Sequence, residues 1–215
     1  MFDHGIFRIT AAAPSLSVAN PVANALSSIQ IIESSDADLI VLPELGLSGY
    51  TCGDLFPMDS LLSGCMDALE RIAVHSLEHQ AMIVVGLPIS VQGALMNCAA
   101  MVSGGQVCGI VPKSFLPNYR EFYELRHFRA ASKLDPSTIG IGQQDVPFGT
   151  DLLFVRGEAT IGIEVCEDLW MPIAPSSQAA LAGANVLLNL SASNETIGKA
   201  EWRRNLVRCQ SGRCI

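Results

Sequence analysis

Short apolar runs of strand length constrain this 215-residue sequence more than any other feature, because they alternate with helical stripes at both ends and double into hairpins in the middle. Residues 6–12 open as an apolar strand. Asn20 then supplies an N-cap with Pro21 at the first helical position, and Val22, Leu26 and Ile29 form a helical stripe. Residues 39–42 are a continuously apolar run of the kind buried on both faces, ended by Pro43. A second stripe (Leu62, Met66, Leu69, Ile72 and Ala73) lies within a helix over 61–79, and another apolar strand covers 82–87. Two hairpins follow: 95–102 with 107–111 across Gly104-Gly105, and 152–155 with 160–165 across Arg156-Gly157-Glu158. A short helix at 177–182, a buried strand at 186–190 and a last helix over 195–210 complete the chain.

Helix and strand alternating at both ends with hairpins between them predicts an α/β sandwich with mixed sheets and outer helices, a layered αββα arrangement rather than a doubly wound parallel sheet. No internal repeat or linker divides residues 1–215, so one domain is expected. With 49% hydrophobic against 16% charged residues and a mean hydropathy of +0.35, the chain can bury a sizeable core and is not disordered. Its net charge of −8, with Arg203, Arg204 and Arg208 as the one basic group, argues against nucleic acid. No apolar run reaches membrane-spanning length, and the N-terminus lacks a basic region followed by an apolar stretch, so a cytoplasmic protein without membrane contact is expected. Seven cysteines, scattered and never in a CxxC pair, indicate neither a disulfide framework nor a zinc knuckle. The aperiodic, proline-punctuated stretch 112–147 reads as a long functional loop with short helical pieces.

Three residues end predicted core strands: Glu44 after 39–42, Lys113 after 107–111 and Cys166 after 161–165. Singly, each has a bland reading as a loop acid, a surface charge or a packed thiol. Together they make coherent chemistry. A free thiol is only a few per cent ionised near neutrality, so it needs a base for its proton and a cation for its anion. Rival motifs fit worse. His75-Ser76-Leu77-Glu78-His79 matches HxxEH, but its histidines lie off the apolar stripe of their helix. Gly46-Leu47-Ser48-Gly49-Tyr50 lacks the last glycine of a nucleophile elbow, and Gly198-Lys199-Ala200 lacks the earlier glycine and hydroxyl of a P-loop.

The stretches Pro43-Glu44-Leu45-Gly46-Leu47-Ser48-Gly49-Tyr50, Pro112-Lys113-Ser114-Phe115-Leu116-Pro117 and Glu164-Val165-Cys166-Glu167-Asp168-Leu169-Trp170 resemble the Glu-Lys-Cys motifs of the nitrilase superfamily. Tyr119-Arg120-Glu121-Phe122-Tyr123-Glu124 and Asn189-Leu190-Ser191-Ala192-Ser193 further resemble the glutaminase domains of glutamine-dependent NAD(+) synthetases. The resemblance implies a nitrilase-like four-layer sandwich in which Glu44 is the general base, Lys113 steadies the tetrahedral intermediate and Cys166 is the nucleophile. It places Glu121 as a supporting glutamate beside the lysine, and Tyr50, Tyr119, Glu167, Ser193 and Lys199 as glutamine-binding. Partners implied are glutamine, a synthetase domain and further copies in a homo-oligomer. No metal or cofactor is implied for this domain; ATP and Mg belong to the synthetase domain, whose Ser-Gly-Gly-x-Asp-Ser loop is not matched by Ser103-Gly104-Gly105-Gln106-Val107-Cys108. The family's domain continues with strands beyond the position of Ile215, so a C-terminally truncated fragment is expected. A stand-alone amidase, nitrilase or carbamoylase, and an inactive association-prone fragment, are the alternatives.

Overall fold

A computed structural model describes residues 5–214; residues 1–4 and Ile215, on which the leader and chain-end readings touch, lie outside it. Asn20 caps the first helix as expected: its side chain accepts from the Ala23 N–H, and α1 runs Pro21–Ser34 behind strand β1, Ile9–Ala11. Strand β2 is Leu39–Val41, helix α2 Asp59–His75 and β3 Met82–Val91. Strands β4, Ala94–Ser103, and β5, Gln106–Pro112, form the first hairpin. Within 112–147 lie a one-turn helix α3, Glu124–His127, of the short kind expected, and an unexpected small hairpin of β6, Thr138–Ile141, and β7, Gln144–Pro147. Strands β8, Leu153–Arg156, and β9, Ala159–Val165, make the last hairpin, followed by α4, Pro175–Leu181, β10, Val186–Leu190, and α5, Lys199–Cys214.

Two main sheets result, in the orders β1-β2-β3-β4-β5 and β10-β9-β8. The period of two along β3 and β4 sorts side chains between two cores. Ile83, Val85, Leu87, Cys98 and Ala100 face α1 and α2, joining Ile29, Ile32, Leu69 and Ile72. Met82, Val84, Ala99 and Met101 face the other way and pack with Phe154, Ile161, Ile163 and Leu188 of the second sheet. With α4 against the far side of that sheet and α5 packed on α4, the layers are αββα, as the order of apolar runs predicts.

Topology gathers the strand ends. β2 and β3 are parallel, while β3–β4 and β4–β5 are antiparallel, so β2 and β5 run the same way and their carboxyl ends share one rim. Glu44 and Lys113 leave from that rim, and Cys166 leaves from the end of β9. Among the described residues no helix is long and apolar enough to cross a membrane.

Candidate active site

Each strand end delivers its side chain through a local conformational device. After β2 the chain turns sharply, with the Gly46 N–H bonded to the Pro43 carbonyl and Leu45 at φ 50°, while the Leu47 N–H donates to the Gly86 carbonyl of β3. Gly86 has no side chain because there is no room: a Cβ would lie 2.5 Å from both the Leu45 nitrogen and the Pro43 oxygen. The turn presses Glu44 inward until it is 1% exposed. Lys113 follows β5 directly and is likewise 1% exposed, its N–H bonded to the Asn97 carbonyl of β4. Cys166 sits at φ 48°, in the left-handed region, at the step from β9 into the one-turn helix Cys166–Trp170. Ser191 donates to its sulfur at 3.4 Å.

Two carboxylates flank one ammonium. Lys113 Nζ lies 2.6 Å from Glu44 Oε1 and 2.7 Å from Glu124 Oε1. Glu44 also accepts from Asn97 Nδ2 at 2.8 Å and from the Ala192 N–H at 2.9 Å. Tyr50 donates to Glu124 at 2.7 Å. Burial by itself disfavours the charged lysine, but the negative charges of Glu44 and Glu124 outweigh it and hold Lys113 protonated above its ordinary range. Burial, then the negative charge of Glu44, pushes the Cys166 thiol up to about 12 against the opposing pull of Lys113. The sulfur is therefore a neutral thiol near neutrality, next to a carboxylate able to take its proton.

The supporting carboxyl beside Lys113 belongs to Glu124 and not to Glu121, which is exposed. Spacing is the physical reason: Glu124 and the buried Phe128 stand four apart on one turn of helix, so both face inward, whereas Glu121 falls in the exposed turn before it. Tyr50 is also placed differently from the pocket position expected, lining a neighbouring cavity and directed at Glu124. Tyr119, Glu167, Ser193 and Lys199 line a cavity of about 370 Å³ whose wall includes Cys166. Tyr119 donates to both oxygens of Glu167, at 3.1 and 3.0 Å. Lys199 bonds the Asn194 side chain and holds its ammonium 5.7 Å from the ring centroids of both Phe122 and Trp170.

Residues behind the site went unread in the sequence. Asp168 accepts from Val165, Ser114 and Phe115 N–H groups, at 2.9, 3.1 and 2.8 Å, and so ties the end of β9 to the segment after Lys113. Asn189 bridges the Cys166 carbonyl and Glu164, both at 3.3 Å. Both are polar residues inside or beside an apolar run, which is the one signal that singles them out. His75 of the HxxEH match bonds Glu33 instead of a metal partner, and among the described residues no group of three metal-ligating side chains converges.

The sequence profile of the carbon-nitrogen hydrolase family matches residues 9–208. A glutamine-dependent NAD(+) synthetase of Mycobacterium tuberculosis is 43% identical over 220 aligned residues, covering 100% of this chain and 32% of that protein. The chain thus spans about a third of the length of the curated relatives it matches. A solved structure of a glutamine-dependent NAD(+) synthetase from Cytophaga hutchinsonii superposes with a TM-score of 0.84 at 32% identity, over 97% of this chain and 34% of that one. An amidase from Nesterenkonia sp. has the same fold, with a TM-score of 0.73 at 18% identity over 95% of this chain and 71% of its own. With the family profile spanning nearly the whole sequence and strand ends that bring an acid, a lysine and a cysteine together, the chain belongs to the carbon-nitrogen hydrolase family.

Proposed function

We propose that this chain hydrolyses the side-chain amide of glutamine, and that in a longer protein the ammonia released serves amidation of nicotinate adenine dinucleotide to NAD. The observation that carries the reading is one buried constellation, Glu44, Lys113, Glu124 and Cys166, opening onto a cavity lined by an acid and a cation. Glu167 suits the α-ammonium of an amino acid and Lys199 its carboxylate, which favours glutamine over a simple amide or nitrile.

Proton transfer from Cys166 to Glu44 accompanies attack of sulfur on the amide carbon, because a thiol held near 12 supplies little free thiolate. Lys113 and the N–H of Glu167 stabilise the oxyanion. Glu44 returns the proton to the departing amine, ammonia leaves, and a water deprotonated by Glu44 hydrolyses the thioester to glutamate. Glu124, bonded to the ammonium and to Tyr50, holds Lys113 in place. No cofactor takes part here; ATP and Mg serve the synthetase part, and the setting is a cytoplasmic homo-oligomer.

Cys166→Ala is expected to abolish ammonia release from glutamine in the complete protein while leaving synthesis from free ammonia intact. Loss of both activities, or retention of both, contradicts the assignment. A glutamine-like diazo ketone should modify Cys166 before the other cysteines, with protection by glutamine; preferential modification of Cys52, Cys65 or Cys209 would count against the pocket.

A further inference from the structure

The two oxygens of Glu44 are not equivalent, and the residue that makes them so lies on β4. Oε1 accepts from Lys113 Nζ at 2.6 Å and from Asn97 Nδ2 at 2.8 Å, which occupies both of its lone-pair directions. Oε2 accepts from the Ala192 N–H at 2.9 Å, which leaves it one direction for a further donor such as the thiol. Asn97 is fully buried in a central strand, and its backbone carbonyl takes the N–H of Lys113 at 2.8 Å, so one residue holds the base through its side chain and the lysine through its backbone. Its Oδ1 has no hydrogen-bond partner among the described residues. A buried orphan acceptor is a standing cost, retained where the opposite end of the amide is needed as a donor.

From this geometry we infer that Asn97 is a positioning residue that fills Oε1 and fixes the carboxylate plane, so that Oε2 is the atom that takes the proton from Cys166. In the thiol step the S–H bond breaks, the proton goes to Glu44 Oε2 and the sulfur pair forms the S–C bond; Oε1 stays bonded to Lys113 and Asn97. Without the amide the carboxylate can turn about its terminal bond, and the oxygen facing the sulfur becomes the one already engaged by the ammonium.

The inference rests on the proposed roles of Glu44 and Cys166 but not on glutamine as substrate, and the test separates the two. Glutamine hydrolysis, alkylation of Cys166 by chloroacetamide followed by peptide mass spectrometry, and the melting temperature are measured for the wild type, Asn97→Leu and Asn97→Asp. Asn97→Leu should lower kcat about tenfold or more with little change in KM and slow alkylation in parallel. Its melting temperature should hold or rise, because an apolar side chain of similar shape removes the orphan acceptor. Asn97→Asp should approach wild-type alkylation at acid pH, where the introduced carboxyl donates to Oε1, and fall progressively below it as that carboxyl ionises beside Glu44.

Wild-type kcat and alkylation in Asn97→Leu, or losses that merely follow a lowered melting temperature, overturn the inference. Should Asn97→Leu not fold, Asn97→Asp decides, and a pH profile parallel to the wild type overturns it equally. A wild type that alkylates at Cys166 but leaves glutamine untouched sinks the substrate proposal alone, since the alkylation series still reads the role of Asn97.

Discussion

The two sheets carry unequal shares of the site and are built to unequal standards. In the five-stranded sheet every position of β3 except Ser90 is buried, α1 and α2 lay long apolar stripes on it, and its strand ends supply Glu44 and Lys113, with Asn97 of β4 bonded to both. The three-stranded sheet supplies Cys166 and one wall of the cavity, yet of the described residues in α5 only Gln210 is buried, and Trp202 and Val207 lie largely exposed. Burying two carboxylates against one ammonium is expensive unless every group is held, so Glu44 and Lys113 belong in the half that cannot yield. A pocket that must admit and release a ligand tolerates the looser half.

One substitution made at corresponding places should expose this inequality most visibly. Gly86→Ala drives a Cβ into backbone, 2.5 Å from Leu45 N and Pro43 O and 2.8 Å from Glu44 Cα, so the turn carrying Glu44 must move. A cost of about 3 kcal/mol or more and loss of amide hydrolysis are expected, read by denaturant unfolding and ammonia release. Gly162→Ala on β9 meets the Ala179 methyl of α4 at 2.6 Å, a side-chain rather than a backbone contact on a short helix. Its cost should stay near about 1 kcal/mol with most activity kept. Equal losses from the two would show that the three-stranded half is as rigid as its partner.

Between the halves stands Asp168, whose carboxyl burial raises from its ordinary value to about 7 despite the opposing N–H groups of Val165 and Phe115. For an acid whose folded value is raised, the folded chain keeps a proton that the unfolded chain has released, so stability falls as pH rises from about 4 to about 7 and is level above that. Asp168→Asn has no such proton. The stability difference, wild type minus variant, should therefore decline by at most about 1.4 kcal/mol per pH unit across that window. A difference constant with pH would show that the carboxyl is ionised throughout and acts as a fixed clamp.

Much of this architecture can be read from residue order, for reasons visible in particular elements. Residues 186–190 are a strand because an apolar run interrupted only by Asn189 is flanked by breakers, and α1 begins at its Asn-Pro signal. β3 extends past Pro88, where a strand ending at 87 is expected, because β2 pairs only as far as Val84 and the freed edge tolerates a residue without an N–H. The β6–β7 hairpin escapes notice since only Ile139, Ile141 and Val146 alternate with polar neighbours, too few to show a period. At the site, the strand-end positions of Glu44, Lys113 and Cys166 follow from local pattern, whereas Asn97, Asp168 and Asn189 act across strands, and pairing partners leave no mark in a single sequence. Glu124 could have been found from its spacing to Phe128.

The smallest effect concerns what holds α5 to the thinner half. Its one buried side chain, Gln210, donates from Nε2 to the hydroxyls of Ser176 and Ser177, each at 2.9 Å, while Arg213 donates to its carbonyl oxygen at 2.9 Å. Ser176 is itself anchored, its N–H donating to the buried Glu164 at 2.9 Å, so the amide joins α5 to α4 and through it to β9. Val207, one turn earlier, is 49% exposed and has little apolar surface left to lose. Gln210→Ala should cost about 1–2 kcal/mol, because the buried hydroxyl of Ser176 and the half-buried one of Ser177 lose their donor, whereas Val207→Ala should stay within about 0.5 kcal/mol. The reverse order in denaturant melts would mean that an apolar face anchors α5, and that the three-stranded half resembles the five-stranded one more closely than its side-chain burial indicates.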